Sequence, residues 1–123
     1  MHGLAVPLWH AAVVAYYEGN PAEVERLAIK PIELSTRHHF AHWLLPQGEV
    51  LRGWARSTSG DITEGISWIV EGTDDFRATG ALRGLPFFIV LKSEALQLAD
   101  RTFEALEAIR DAEEVVERSQ ERL

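Results

Sequence analysis

The sequence predicts an all-α domain, an antiparallel helix-pair solenoid of three repeats and six helices. Three observations lead to this prediction. Apolar residues recur at three- and four-residue steps over long segments, small residues recur at a fixed spacing in two successive segments, and turn-forming residues separate the segments. No segment of useful length shows the alternation of apolar and polar residues that is typical of β-strands. We expect one domain over residues 1–123, with repeats at about 5–40, 40–80 and 85–120.

The internal repeat is clearest in the small residues. Three of them flank the turn at Gly60, and residues of similar size take the same places 40 positions later. A small side chain in each helix of a pair allows the two backbones to approach closely. The residues that we expect to pack the pairs in this way are Gly53, Gly65, Gly72, Ser93, Ala105 and Ala112.

The turn residues set the expected limits of the helices. Gly19, Asn20 and Pro21 can end one helix and begin the next, and Gly60 and Gly80 mark similar breaks. The predicted helices lie at about 6–18, 22–38, 40–59, 62–79, 86–99 and 101–119. Proline inside a helix removes an amide donor, so we expect Pro31 to interrupt or kink the second helix and Pro46 to kink the third. The alternative is that the third helix begins at Pro46. In the last helix, a periodic series predicts the packing face: Phe103, Leu106, Ile109, Ala112 and Val116.

Composition excludes several classes of function. The chain has 19 acidic and 12 basic residues and a net charge of -7, the wrong sign for nucleic acid. It contains no cysteine, and no apolar run is long enough to span a membrane. We find neither a glycine-rich phosphate loop nor a Gly-x-Ser-x-Gly elbow. The sequence therefore predicts a cytoplasmic, non-enzymatic protein without a cofactor or a metal.

The segment around Gly53, Gly65 and Gly72 resembles the tetratricopeptide repeat (TPR), a helix-turn-helix unit with small residues at these three places. More narrowly, residues 51–86 resemble the C-terminal repeats of large bacterial signalling proteins. These proteins join a class III adenylate or guanylate cyclase domain, or a transcriptional-activator domain, to a STAND-type ATPase. The resemblance implies a protein-protein interaction module, a regulatory or scaffold part of such a signalling system. It implies a protein or peptide as the partner.

The same resemblance implies which residues line the partner-binding groove. The place after the small packing residue faces the concave side of TPR pairs, and Trp54 takes that place. The groove would be lined by His10, Val14, Tyr17, Gln47, Val50, Trp54, Ser57, Val90, Glu94 and Gln97. We expect Trp54 to anchor the partner, because a large rigid aromatic side chain gives much contact area. The alternative is that Trp54 belongs to the core.

Two further expectations concern other parts of the chain. His38, His39 and His42 suit an alternative function, a small helical domain with a ligand or metal pocket, since imidazoles four residues apart can point at one ion. The first helix is apolar around much of its circumference. We therefore expect the N-terminal pair to pack against a second copy, as in a homodimer, or against upstream sequence of a longer parent protein.

Overall fold

The computed structural model describes residues 11–37 and 44–121, and within these ranges the chain forms helices and turns without a β-strand. The described helices are α1 (11–17), α2 (Pro21–Arg37), α3 (Leu44–Thr58), α4 (Ile62–Ala78), α5 (Leu85–Leu98) and α6 (Thr102–Glu121). The predicted all-α class is confirmed for this part of the chain. None of the described helices has both the length and the hydrophobicity needed to cross a lipid bilayer.

The two prolines expected to disturb helices lie in different settings. Helix α2 is continuous through Pro31, so the expected interruption does not occur there. Helix α3 begins at Leu44 and has Pro46 in its first turn, where the missing amide hydrogen has no intrahelical acceptor. The predicted start of this helix, near residue 40, lies outside the described residues.

The same type of turn connects the two helices in each of the three helix pairs. Gly19, Gly60 and Asp100 have positive φ angles of 69°, 112° and 60°. The amide of the residue after each one donates to the carbonyl five residues earlier, at 3.0, 2.9 and 2.9 Å respectively. This is the Schellman motif, in which a left-handed residue ends a helix and satisfies its last carbonyls. Each next helix begins two residues after the left-handed one, so α1–α2, α3–α4 and α5–α6 are equivalent pairs.

The backbones of α3 and α4 come into direct contact at two glycines. A Cβ on Gly53 would lie 2.6 Å from the carbonyl oxygen of Gly65 and 2.8 Å from Cγ1 of Ile69. A Cβ on Gly65 would lie 2.5 Å from the carbonyl oxygen of Gly53 and would also overlap the Ser57 hydroxyl. Real Cβ atoms do not approach other atoms so closely, so both positions require glycine at this crossing.

The other small residues also lie at helix contacts. A Cβ on Gly72 would lie 2.8 Å from the carbonyl oxygen of Pro46, so the close approach of α3 and α4 extends towards the start of α3. In the third pair, Ser93 is buried and its hydroxyl donates to the carbonyl of Ala105, at 3.0 Å. Ala105 and Ala112 are buried on α6.

Contacts between pairs connect α1, α3 and α5 to one another and α4 to α6. Helix α3 packs against α5, and Tyr16 of α1 contacts both of them. On the other side, the Arg77 guanidinium of α4 donates to the Asp111 carboxylate of α6, at 2.5 Å. Helices α4 and α5 also meet directly, where the rings of Phe76 and Phe88 lie edge to face at 5.1 Å.

The packing face of α6 differs from the predicted one. Its buried residues are Ala105, Ala108, Ala112 and Val115. Of the predicted series, only Ala112 is buried, whereas Phe103 and Leu106 are 71% and 52% exposed. The prediction was wrong for these larger residues, because the alanines allow α6 to lie close to α5 and leave the bulky side chains on the adjacent, open side.

We predict that Gly65→Ala lowers the free energy of unfolding by about 1 to 3 kcal/mol, the usual cost of forcing a side chain into a packed contact. The loss is expected even though alanine is the better helix former by about 1 kcal/mol. Urea denaturation measures it. Ser67→Ala, at an exposed position on the same helix, is the matched control, and equal stability of Gly65→Ala and the parent would contradict the contact.

Candidate functional site

The predicted groove residues of α3 are largely inaccessible in this chain. Val50, Trp54 and Ser57 are 0%, 6% and 2% exposed, and Gln47 is half-buried. The Ser57 hydroxyl donates to the carbonyl of Gly53 at 2.9 Å, which assigns it a structural role inside the helix. The structure therefore places Trp54 in the core, the alternative that the sequence left open, and not on an open groove.

Trp54 is covered by a tyrosine of the first pair. The rings of Tyr16 and Trp54 lie edge to face at 5.0 Å, and the rings of Tyr16 and Phe87 at 5.2 Å. The Tyr16 hydroxyl donates to Oε2 of Glu94 at 2.8 Å. Burial and the neighbouring carboxylate raise the pKa of Tyr16 above its ordinary value, so the hydroxyl remains a donor at neutral pH. We call Tyr16, Trp54, Phe87 and Glu94 the inner cluster.

The predicted groove residues of α1 are not part of the inner cluster, and the spacing of the turns explains why. Val14 and Tyr17 are 56% and 76% exposed, and His10 lies outside the described residues. The prediction assumed a 40-residue repeat, but the left-handed turn residues Gly19 and Gly60 are 41 positions apart. Tyr16 therefore takes the place in α1 that Ser57 takes in α3. Alignment of the two turns would have identified Tyr16 from the sequence.

The groove residues predicted in α5 are partly accessible. Val90 and Glu94 are half-buried and Gln97 is exposed. Glu94 is held by Tyr16, so its carboxylate is already engaged within the chain. The structure thus brings Trp54 and Glu94 together through Tyr16, with Val90 nearby in sequence. Tyr17 is exposed, and its ring packs edge to face against Tyr16 at 5.1 Å.

A second polar region lies between α2, α3 and α4. It surrounds a cavity of about 240 Å³ lined by Ile32, Leu45, Glu49, Arg52, Trp68 and Glu71. The Arg52 guanidinium carbon lies 4.6 Å from the centroid of the Trp68 ring and that of Arg56 lies 5.5 Å from it, both within cation-π range. Glu25 pairs with both arginines, at 2.6 Å to Arg56 and 3.5 Å to Arg52.

Three carboxylates lie close together at the α4 side of this cavity. Oxygen atoms of Glu49, Glu71 and Asp75 lie within 4.8 Å of one another. Oε2 of Glu49 is buried and has no hydrogen-bond partner among the described residues. Burial raises the pKa of Glu49, and the negative charges of Glu71 and Asp75 raise it further. The three carboxylates therefore repel one another when they are ionised at neutral pH.

The histidine alternative falls on residues that the structure does not describe. His38, His39 and His42 lie outside the described residues, so the proposed ligand or metal pocket stays a sequence prediction.

One surface was missed by the sequence reasoning. The open side of α6 carries Phe103, Leu106, Ile109 and Val116, which are among the large apolar side chains that the structure leaves exposed. The signal was present in the sequence, because the alanines of α6 form a stripe of their own beside the larger residues. Apolar surface of this kind is typical of protein interaction sites.

We predict that Trp54→Ala destabilises the chain by about 3 to 5 kcal/mol, because truncation of a buried tryptophan leaves a large cavity. Thermal melts followed by circular dichroism measure the loss. Trp68→Ala, at a half-buried position, is expected to cost less. A Trp54→Ala melt that matches the parent would contradict the burial of this side chain.

A second prediction concerns pH. The raised pKa of Glu49 means that the folded chain holds this proton more tightly than the unfolded chain does, so the ionised form costs stability. Glu49→Gln should therefore raise the free energy of unfolding at neutral pH. The gain should disappear as the pH falls below the ordinary carboxyl pKa of about 4.3, where Glu49 is protonated in both states.

Urea denaturation of parent and variant across this pH range tests the second prediction. Glu33→Gln, at an exposed position of α2, controls for loss of a negative charge in general. A Glu49→Gln variant that is no more stable than the parent at neutral pH would be inconsistent with repulsion at the three carboxylates.

Comparison of the chain with protein-family models, with curated proteins and with solved structures finds no match in any of the three.

Proposed function

We propose that the chain is a non-enzymatic protein-protein interaction module of the TPR type. The observation that carries the proposal is the repetition of one turn, with the same hydrogen bonds, at Gly19, Gly60 and Asp100. Three equivalent helix pairs stacked in order form an array whose exposed faces are extended binding surfaces. The proposal places the pairs side by side, with α1, α3 and α5 in one layer and α2, α4 and α6 in the other.

Several contacts support this arrangement. Tyr16 joins α1 to α3, and the pair Arg77–Asp111 joins α4 to α6. Neighbouring helices in sequence also pack together from α2 to α6. Close approach at Gly53 and Gly65 is what a helix pair of this type needs, because the small residues let the two backbones touch.

Three hydroxyls of α3 and α5 have structural partners. Ser57 and Ser93 are buried and donate to backbone carbonyls, and the exposed Thr58 does the same, to the carbonyl of Trp54 at 3.0 Å. These positions favour a scaffold over a catalytic role. The proposed biological setting, a regulatory part of a bacterial cyclase and ATPase signalling system, rests on the resemblance of residues 51–86 alone.

The experiment is capture of partners on the immobilised chain from a lysate of the source cells, followed by calorimetry with the purified partner. Exposed apolar residues are changed one helix at a time, as in Val14→Asp, Ile29→Asp and Leu106→Asp, all exposed in the structure. We expect saturable binding of a protein that at least one of these variants weakens tenfold or more without a change in the thermal melt. Failure to find any saturable protein partner, or binding equal in every variant, would contradict the proposal.

A further inference from the structure

The strongest unassigned feature of the molecule is the apolar stripe of α6. Its members are Phe103, Leu106, Ile109 and Val116, which are 71%, 52%, 36% and 41% exposed. Residues three, four and seven apart lie on one side of a helix, so these four side chains lie on one side of α6, with the charged Arg110 and Glu113 among them. We use the name α6 stripe for them.

The equivalent face of α4, in the preceding helix pair, shows what can pack against such a face. The turns at Gly60 and Asp100 set a shift of 40 residues between α4 and α6, which makes Leu106, Ile109 and Val116 equivalent to Ile66, Ile69 and Phe76. In α4 these equivalents are 8%, 0% and 8% exposed.

Part of that burial in α4 comes from the helix that follows. The Phe76 ring packs edge to face against Phe88 of α5, at 5.1 Å, and α4 and α5 are in contact. The equivalent of Phe76 in α6 is the exposed Val116. The α6 stripe is therefore the surface on which one more helix would lie.

The charges around the stripe indicate the chemistry of that helix. The α6 sequence contains seven acidic and two basic residues. Glu113 is exposed one turn after Ile109, and Glu117 is exposed one turn after Glu113, both on the same side of α6 as the stripe. Arg110 is exposed one turn after Leu106 on this side, where the acidic residues outnumber it. Glu107 is exposed one turn after Phe103. A second copy of the chain presenting this same face would bring these carboxylates together, which is unfavourable.

We propose that the α6 stripe docks an amphipathic helix of a partner protein, with apolar residues on one face and lysine or arginine along its edges. An amphipathic helix lying against an apolar strip is a recurring mode of recognition. The acidic rim selects a basic helix over an acidic one and makes binding weaker at higher salt. The inference rests on the proposed function and names the surface and the kind of partner.

The probe is a labelled synthetic helix with a leucine stripe bordered by lysines, titrated with the whole chain and followed by fluorescence anisotropy. Its comparators are the same helix with glutamates in place of the lysines and a scrambled peptide of the same composition. We expect saturable binding of the lysine helix only, weakened by added salt. Equal binding of the glutamate helix or of the scrambled peptide, or no binding of the lysine helix, would overturn the proposal.

Variants of the chain separate docking from simple charge attraction. Leu106→Asp and Phe103→Asp add negative charge, so attraction alone predicts stronger binding, whereas docking on the stripe predicts a loss of tenfold or more. Leu106→Ala tests the same contact without a new charge and should give a smaller loss. Glu113→Lys with Glu117→Lys should weaken binding and reduce its salt dependence. Ile29→Asp, at an exposed apolar position of α2, is the control and should bind as the parent does.

Two outcomes would distinguish failure of this inference from failure of the proposed function. Sedimentation that shows a parent dimer and a Leu106→Asp monomer would mean that a second copy covers the stripe, which overturns the proposal. A captured partner protein that Leu106→Asp still binds but Val14→Asp does not would leave the interaction function in place and remove the α6 stripe as its site.

Discussion

The contact on which the rest of the structure depends is the crossing of α3 and α4 at Gly53 and Gly65. There the backbone of each helix occupies the space that a Cβ of the other would need. With no side chain between them, the two helices have little freedom to slide or separate, since sliding would push Ile69 and Ser57 into backbone atoms. Because Trp54 follows Gly53 directly, this crossing also sets the position of Trp54, which packs against Tyr16 of α1.

Two kinds of contact join the helix pairs, and they contribute unequally to stability. The ion pairs Glu25–Arg56 and Arg77–Asp111 involve side chains that are about a third exposed, and pairs of this type contribute little net stability. The edge-to-face aromatic contacts combine buried area with favourable ring geometry. The register between pairs therefore depends mainly on the aromatic residues, and the ion pairs contribute less.

The sequence predicted the helices well where turn chemistry is local. Glycine and proline placed the ends of α4 and α5 within a residue of those observed, because positive φ and a missing amide act on the nearest few residues. It predicted less well which face each helix buries. That face depends on distant neighbours: the alanines of α6 face α5 although Phe103 and Leu106 are more apolar, and Trp54 is buried because Tyr16, which lies 38 positions earlier, covers it.

The hydrogen bond from Tyr16 to Glu94 has a consequence for how the chain unfolds. In an array where each pair touches only its neighbours, an end pair can open alone while the others stay folded. Tyr16 spans from the first pair to the third, across 78 positions of sequence. Opening of α1 would therefore break contacts with α3 and α5 together. Amide hydrogens near the turn at Gly19 should consequently exchange with solvent at rates close to those of the central pair, and not at the faster rates typical of the end of a repeat array.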